Sequence, residues 1–211
     1  MTNKTQKIYN LIILDESGSM DSIKRQTILG FNDLATKIKE TQKMFPNQHH
    51  YISFVTFNDS GIKFRLFNQP VGELNKIDDR TFQPDGQTPL FDAICKSALK
   101  LKHELYHEKD YNVLVTVITD GEENNSSDFS QKETKLLIEN LSENPNWAFG
   151  LIGANIDVEA VANSLSIPIK RTITFNSEDN SVKQMFERYG KAQEKLTYII
   201  DEGGQCDDLP F

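Results

Sequence analysis

Two kinds of apolar pattern alternate along the chain. Short continuous apolar runs favour buried strands, and longer segments with apolar residues every three or four positions favour amphipathic helices. Such alternation is typical of βαβ units around a mostly parallel sheet, so the sequence predicts an α/β fold. The predicted strands lie near 8 to 14, 51 to 57, 62 to 67, 112 to 119, 147 to 153 and 169 to 175, and the predicted helices lie near 22 to 43, 89 to 108, from 130 onward, 157 to 165 and 179 to 200.

One strand pair departs from the parallel pattern. The link "NDSG" between the second and third predicted strands is too short for a crossover helix. These two strands are therefore predicted to form an antiparallel hairpin. The strand near 112 to 119, "NVLVTVIT", is almost wholly apolar, as a central parallel strand should be.

Local signals mark several helix ends. The segment "SQKE", 130 to 133, fits a capping box at a helix start. Asp21 or Ser22 is expected to cap the first helix, and Gly203 suits the C-terminal cap of the last one.

The length of the chain favours a single domain. With 211 residues, of which 37% are hydrophobic, the chain can bury a sizeable core. We expect an N-terminal extension over 1 to 7, one domain over 8 to 200 and a flexible C-terminal tail over 201 to 211. The composition is that of a globular protein.

Charge and composition exclude several classes of partner. The formal net charge of -8 opposes general binding to nucleic acid or to anionic lipid. No apolar run approaches the ~20 residues of a membrane span, and the N-terminus lacks a signal-peptide core. The two cysteines, Cys95 and Cys206, are too few for a disulfide-built secreted domain. We therefore expect a cytoplasmic protein.

Polar residues in three loops suggest a metal site. Asp15, Ser17 and Ser19 follow the first strand, Thr88 precedes the second long helix, and Asp120 follows the strand near 112 to 119. Each alone fits a helix cap or a turn. Ligands of open α/β sheets bind beyond the carboxyl ends of the strands, where these loops are expected to meet. Carboxylates and hydroxyls without His or Cys suit a hard cation, Mg²⁺ or alternatively Mn²⁺ or Ca²⁺.

These three pieces resemble the metal-ion-dependent adhesion site of von Willebrand factor A (vWA) domains. The resemblance includes "GQTPLFDAI", "VITDGEE" and "LIGANIDVEAVANSL" in the expected order and covers about 8 to 200. It implies a Rossmann-like fold, with helices on both faces of a mostly parallel sheet and one antiparallel edge strand. Stand-alone intracellular bacterial vWA proteins are the type that the chain resembles most.

The resemblance also implies a ligand set and a function. Ser17, Ser19 and Thr88 would hold the metal, with Asp15 and Asp120 acting directly or through water. An open coordination position would then accept an Asp or Glu carboxylate from a partner protein. The implied function is non-enzymatic, metal-dependent protein binding.

Two enzyme hypotheses compete with this interpretation. The segment "HELYH", 103 to 107, matches the H-E-x-x-H motif of zinc peptidases, although no third ligand motif follows it. A helix beginning near Thr88 would carry these histidines roughly 22–28 Å from the other site. The second hypothesis makes Asp15 the nucleophile of a metal-dependent phosphatase, but Ser17 stands where the acid/base carboxylate is needed.

Acidic residues in the same loops are expected to influence partner choice. Glu16, Asp85, Glu122 and Glu123 belong to these loops. They should make a highly acidic partner unwelcome. The run from 120 to 128 fits either an acidic rim that selects partners or an ordinary solvated loop.

Overall fold

The computed structural model describes residues 5 to 211, except for the side chain of Asp179. Residues 1 to 4 of the predicted N-terminal extension lie outside this part, and the first strand already includes residues 6 and 7. The strands are β1 (Gln6–Asp15), β2 (Gln48–Asn58), β3 (Gly61–Pro70), β4 (Tyr111–Thr119), β5 (Trp147–Ala154) and β6 (Thr172–Phe175). The α-helices are α1 (Lys24–Met44), α2 (Leu90–Glu104), α3 (Gln131–Ser142), α4 (Val158–Ser164) and α5 (Asp179–Asp201).

The six strands form one sheet in the order β3-β2-β1-β4-β5-β6. All neighbouring pairs are parallel except β2 and β3, which form the predicted antiparallel hairpin at one edge. β1 is central: Ile12 is in register with Phe54 of β2 and with Thr116 of β4. The predicted fold class is thus confirmed.

Helices cover both faces of the sheet. Successive residues of a strand point to opposite faces, and in β1 Leu11 and Ile13 contribute to the core under α2, α3 and α4. Ile12 and Leu14 contribute to the core under α1 and α5. Because both faces are covered, the inner strands are almost uniformly apolar.

The first helix begins differently from the prediction. A 3₁₀ turn, Gly18–Ile23, precedes α1, and neither Asp21 nor Ser22 caps the helix. Ser22 Oγ instead donates to the carbonyl of Ser19 at 3.2 Å. The tight i to i+3 bonding of the turn can satisfy backbone N–H groups at this helix start without a side-chain cap.

The other two helix-end predictions are confirmed. Ser130 and Glu133 form the reciprocal bonds of a capping box at the start of α3. Gly203 follows α5 with a positive φ of 88°, and its N–H donates to the carbonyl of Ile200. No helix in the described part of the chain combines the length and apolarity needed to cross a membrane.

The predicted flexible C-terminal tail, 201 to 211, is instead packed against the rest of the domain. Cys206 and Leu209 are fully buried against the sheet. The buried guanidinium of Arg171 donates to the carbonyl of Leu209 and pairs with the carboxylate of Asp207. The segment is mostly polar in sequence, but its few apolar residues pack in the core. A 3₁₀ turn carries Arg171 to this contact, so β6 begins at Thr172 rather than near 169.

Candidate metal centre

The three predicted loops meet where the strand order reverses. β1 connects to β2 on one side, whereas its other neighbour is β4, and such a switch point leaves a crevice beyond the strand ends. Asp15 is the last residue of β1, Asp120 follows the last residue of β4, and Thr88 precedes α2. All three side chains are buried or nearly so. The topology therefore brings together residues that are far apart in sequence.

Hydrogen bonds fix the first loop around Asp15. The backbone N–H of Ser17 donates to Asp15 Oδ1 at 2.7 Å, and the hydroxyl of Thr119 donates to Asp15 Oδ2 at 2.5 Å. The hydroxyl oxygens of Ser17 and Ser19 lie 3.1 Å apart. Thr119 was not among the predicted site residues, although its position as the last residue of an apolar strand marks it as facing the crevice.

The hydroxyls and carboxylates converge on the space beside Gly121. A Cβ atom added to this glycine would lie 3.0 Å from Thr88 Oγ1, 3.2 Å from Ser19 Oγ and 3.7 Å from Asp15 Oδ2. One point on the third loop therefore has oxygens from the other two loops around it. A side chain at 121 would enter this space and press on the oxygens around it, at a position that the sequence marks only as a turn.

The carboxylate of Asp120 is incompletely satisfied. Its Oδ1 accepts a hydrogen bond from Ser19 Oγ at 2.6 Å, whereas its Oδ2 is buried and has no hydrogen-bond partner among the described residues. Burial raises the pKa of Asp120. Burial, and to a smaller extent the charge of Asp120, also raises the pKa of Asp15 to about 6. A buried orphan oxygen on a carboxylate that contacts the Ser19 hydroxyl fits a hard cation, which would supply the missing partner.

The three loops are bonded to one another. The N–H of Gly18 donates to the carbonyl of Gly86 at 3.0 Å. Thr88 is held from both sides, because its N–H donates to Asn124 Oδ1 at 2.8 Å and its carbonyl accepts from the N–H of Asn124 at 3.2 Å. Asn124 thus fixes the backbone of one predicted ligand, a role that its place in an acidic, polar run did not reveal.

Glu16 is not part of an exposed acidic rim. Its side chain is fully buried and accepts hydrogen bonds from Lys63, from Arg65 and from the N–H of Gln83, at 2.8 to 3.2 Å. Burial alone would raise the pKa of Glu16, but these bonds and the Arg65 charge outweigh it and lower the pKa. The residue therefore anchors the first loop to the edge hairpin.

Glu123 likewise has a structural role. Its carboxylate accepts from the N–H of Phe91, in the first turn of α2, at 2.9 Å, and from the N–H of Ser126 at 2.6 Å. Asp85 and Glu122 are exposed. Only these two of the four acidic residues expected to repel an acidic partner face solvent fully, so fewer negative charges are exposed at the site than the sequence suggests.

The zinc-peptidase motif lies away from this centre and is poorly formed. α2 ends at Glu104, so His107 lies beyond the helix that carries His103. Both histidines are exposed. Within the described part of the chain, no group of three or more His, Cys, Asp and Glu side chains is arranged to hold a metal. The phosphatase hypothesis still lacks an acid/base carboxylate, because Ser17 stands at that position.

Comparison with known proteins identifies the fold. No family profile and no curated protein matches the sequence. Among solved structures, the SpRpn10 VWA domain superposes with a TM-score of 0.57 at 14% identity, covering 85% of this chain and 94% of that domain. This chain has the vWA fold. The strand order and the edge hairpin described above agree with that result.

Other solved structures also superpose on most of this chain. The manganese-loaded TRAP protein of Plasmodium vivax matches with a TM-score of 0.55 and 17% identity, covering 90% of this chain and 74% of that one. The open conformation of the pilus adhesin SpaC from Lactobacillus rhamnosus GG matches with a TM-score of 0.67 and 11% identity, covering 90% and 30%. The chain spans 45% to 63% of the first matched structures, which are a mussel byssus matrix protein and a Streptococcus sanguinis minor pilin.

Proposed function

We propose that this vWA domain is a non-enzymatic protein-binding module that depends on one divalent cation, Mg²⁺ or alternatively Mn²⁺ or Ca²⁺. Ser17, Ser19 and Thr88 would hold the cation through their hydroxyls. Asp15 and Asp120 would act directly or through water. This ligand set corresponds to an intact metal-ion-dependent adhesion site.

The unpartnered Oδ2 of Asp120 carries the proposal. A buried carboxylate oxygen without a hydrogen bond is costly. The other oxygen of the same carboxylate contacts the hydroxyl of Ser19, which lies with the hydroxyl of Thr88 beside Gly121. A manganese-loaded structure among those of the same fold supports the choice of a divalent cation.

The donor set also determines what the partner should offer. Three neutral hydroxyls and two carboxylates leave a bound divalent cation electrophilic, with a position for an oxygen ligand from outside. We propose that a partner protein supplies this oxygen from an Asp or Glu side chain. With a net charge of -8, the chain is not suited to nucleic acid or to an anionic membrane surface. The placement among stand-alone intracellular bacterial vWA proteins is a proposal that rests on the sequence resemblance. The cytoplasmic location is a proposal that rests on the low cysteine content.

A pull-down with the purified domain in Mg²⁺ and in EDTA tests this function. We expect partners that are retained only with Mg²⁺ and that are lost with Thr88→Ala. Thr36→Ala, which removes an exposed hydroxyl on α1, is the matched control and should retain them. Changing the partner's acid to its amide should weaken binding, and combining this change with Thr88→Ala should cost much less than the sum. Full binding in excess EDTA, or strictly additive losses, would refute the proposal.

A further inference from the structure

A cleft opens directly beside the candidate metal centre. The proposed metal site does not itself account for what this cleft would bind. We call it the hairpin cleft, because one wall is the β2–β3 hairpin and the other is formed by α2 and the loop after Asp120. Its volume is about 400 Å³. The residues that matter for its chemistry are Asp59, Ile62, Phe64, Pro89, Asp92 and Lys96.

The hairpin cleft and the metal centre share one loop. Pro89, in the wall of the cleft, immediately follows the predicted ligand Thr88. On the hairpin side, the Asp59 carboxylate packs against the same loop, since a Cβ atom added to Gly86 would lie only 1.9 Å from Asp59 Oδ1. A partner that places an acid at the metal centre therefore places a neighbouring residue over the cleft.

The hairpin cleft carries an excess of negative charge. The ammonium of Lys96 lies between the carboxylates of Asp92, at 3.4 Å, and Asp128, at 2.5 Å, and is therefore already neutralised. Asp59 is exposed and forms no ion pair within the described residues. The carboxylates of Asp59, Asp92 and Asp128 thus outnumber the ammonium groups of Lys96 and Lys100, which leaves the cleft complementary to a further positive charge.

The walls of the hairpin cleft fit an aliphatic stem. Ile62, Phe64 and Pro89 present apolar surface, and the Phe64 ring is 36% exposed. The ammonium of Lys100 lies 5.4 Å from the centroid of this ring, so the ring already accepts a cation on one side. Apolar walls around an acidic rim match a side chain with a hydrocarbon stem and a charged head.

We infer that the hairpin cleft binds a Lys or Arg side chain of the partner, close in sequence to the acid at the metal centre. The inference rests on the proposed function and narrows it. The aliphatic part of the side chain would lie against Ile62, Phe64 and Pro89, and its cationic head would pair with Asp59. The sequence signals only a turn at Asp59, within "NDSG", so this role could not be predicted from it.

A peptide library measures this preference directly. Each probe is an immobilised peptide with one Asp in an Ala/Ser background and one variable position, up to three residues to either side, filled by Lys, Arg, Gln, norleucine or Glu. Binding of the purified domain is measured in Mg²⁺ and in EDTA. We expect Lys and Arg to exceed Gln by about threefold to fivefold at one or two positions, as for a partly exposed ion pair.

Matched variants test whether Asp59 causes the preference for Lys and Arg. Asp59→Asn should remove the preference for Lys and Arg, whereas Asp201→Asn, which removes an exposed charge at the end of α5, should keep it. Thermal unfolding in EDTA checks that both variants remain folded. Mg²⁺-dependent binding that is equal for Lys and Gln, or a preference that survives Asp59→Asn, overturns the inference and leaves the proposed function intact. If no acidic peptide binds in a Mg²⁺-dependent manner, the result counts against both.

Discussion

Ser19 and Asp120 meet across 101 residues of sequence, because the Ser19 hydroxyl donates to Asp120 Oδ1 at 2.6 Å. This contact joins the loop after β1 to the loop after β4 at the switch point of the sheet. The second oxygen of the same carboxylate is buried and unpartnered in the described structure. The Asp120 side chain thus joins the two loops and still has one oxygen available to a cation.

The first prediction follows from this oxygen. Mg²⁺ or Mn²⁺ at 100 times its Kd should raise the free energy of unfolding by about 2.7 kcal/mol, because the ion binds only the folded state. Asp120→Ala should abolish the increase. Asp21→Ala, which removes an exposed acid from the neighbouring turn, should retain it. Urea unfolding with and without metal measures the effect, and an Asp120→Ala variant that responds to metal like the parent would show that the site is misplaced.

The second prediction concerns the residue that holds Thr88. Asn124→Ala removes the side-chain oxygen that accepts the Thr88 N–H, and we expect the affinity for Mn²⁺ to fall by about 10-fold, as for other supporting groups around metal ligands. Asn125→Ala is the matched control on the same loop. Electron paramagnetic resonance titration of free Mn²⁺ gives both affinities. Equal affinities in the two variants would show that Thr88 needs no such support.

Glu16 supplies a third prediction, which separates a buried anchor from an exposed rim. Glu16→Gln should lower the free energy of unfolding by about 2–3 kcal/mol, because Lys63 and Arg65 lose their anionic partner. Glu122→Gln, at an exposed position of the third loop, should change it by less than about 0.5 kcal/mol. Chemical unfolding in EDTA compares the two. Similar small losses would mean that Glu16 contributes only surface charge.

The fourth prediction is a pH dependence that arises from His50. Burial lowers the pKa of His50 from 6.5 to about 4. The unfolded chain therefore binds a proton before the folded one does, and stability present above pH 6.5 is lost as the pH falls toward 4. The contribution is about 3 kcal/mol at most. Unfolding measured across this range should show a smaller loss in His50→Gln than in the parent, whereas exposed His103→Gln should leave the slope unchanged.

Most of the fold could be predicted because hydrophobic periodicity reports burial. Strands with both faces covered read as continuous apolar runs, as in Tyr111–Thr119, and the short link after Asn58 allowed only a hairpin. The C-terminal segment was mispredicted because its burial depends on the buried guanidinium of Arg171, which selects carbonyls and a carboxylate as partners. No local sequence pattern predicts such a contact.

The candidate ligands could be predicted because they are oxygen-bearing residues located at the ends of predicted strands and in the loop before a helix. Asp15, Thr88 and Asp120 come together because the topology fixes their loops. The supporting residues were missed, because Asn124 acts through backbone groups of a distant loop. Glu16 was expected to make an acidic partner unwelcome, because charge alone does not show that Lys63 and Arg65, 47 and 49 residues away, enclose it.

Anomalous scattering from a crystal grown with Mn²⁺ tests the central claim most directly. We predict one strong manganese peak within coordination distance of the hydroxyls of Ser17, Ser19 and Thr88, beside Gly121 and next to the unpartnered oxygen of Asp120. Soaking with Zn²⁺ should produce no comparable peak between His103 and His107. A manganese peak at another place, or no peak in the crevice at saturating Mn²⁺, would contradict the account.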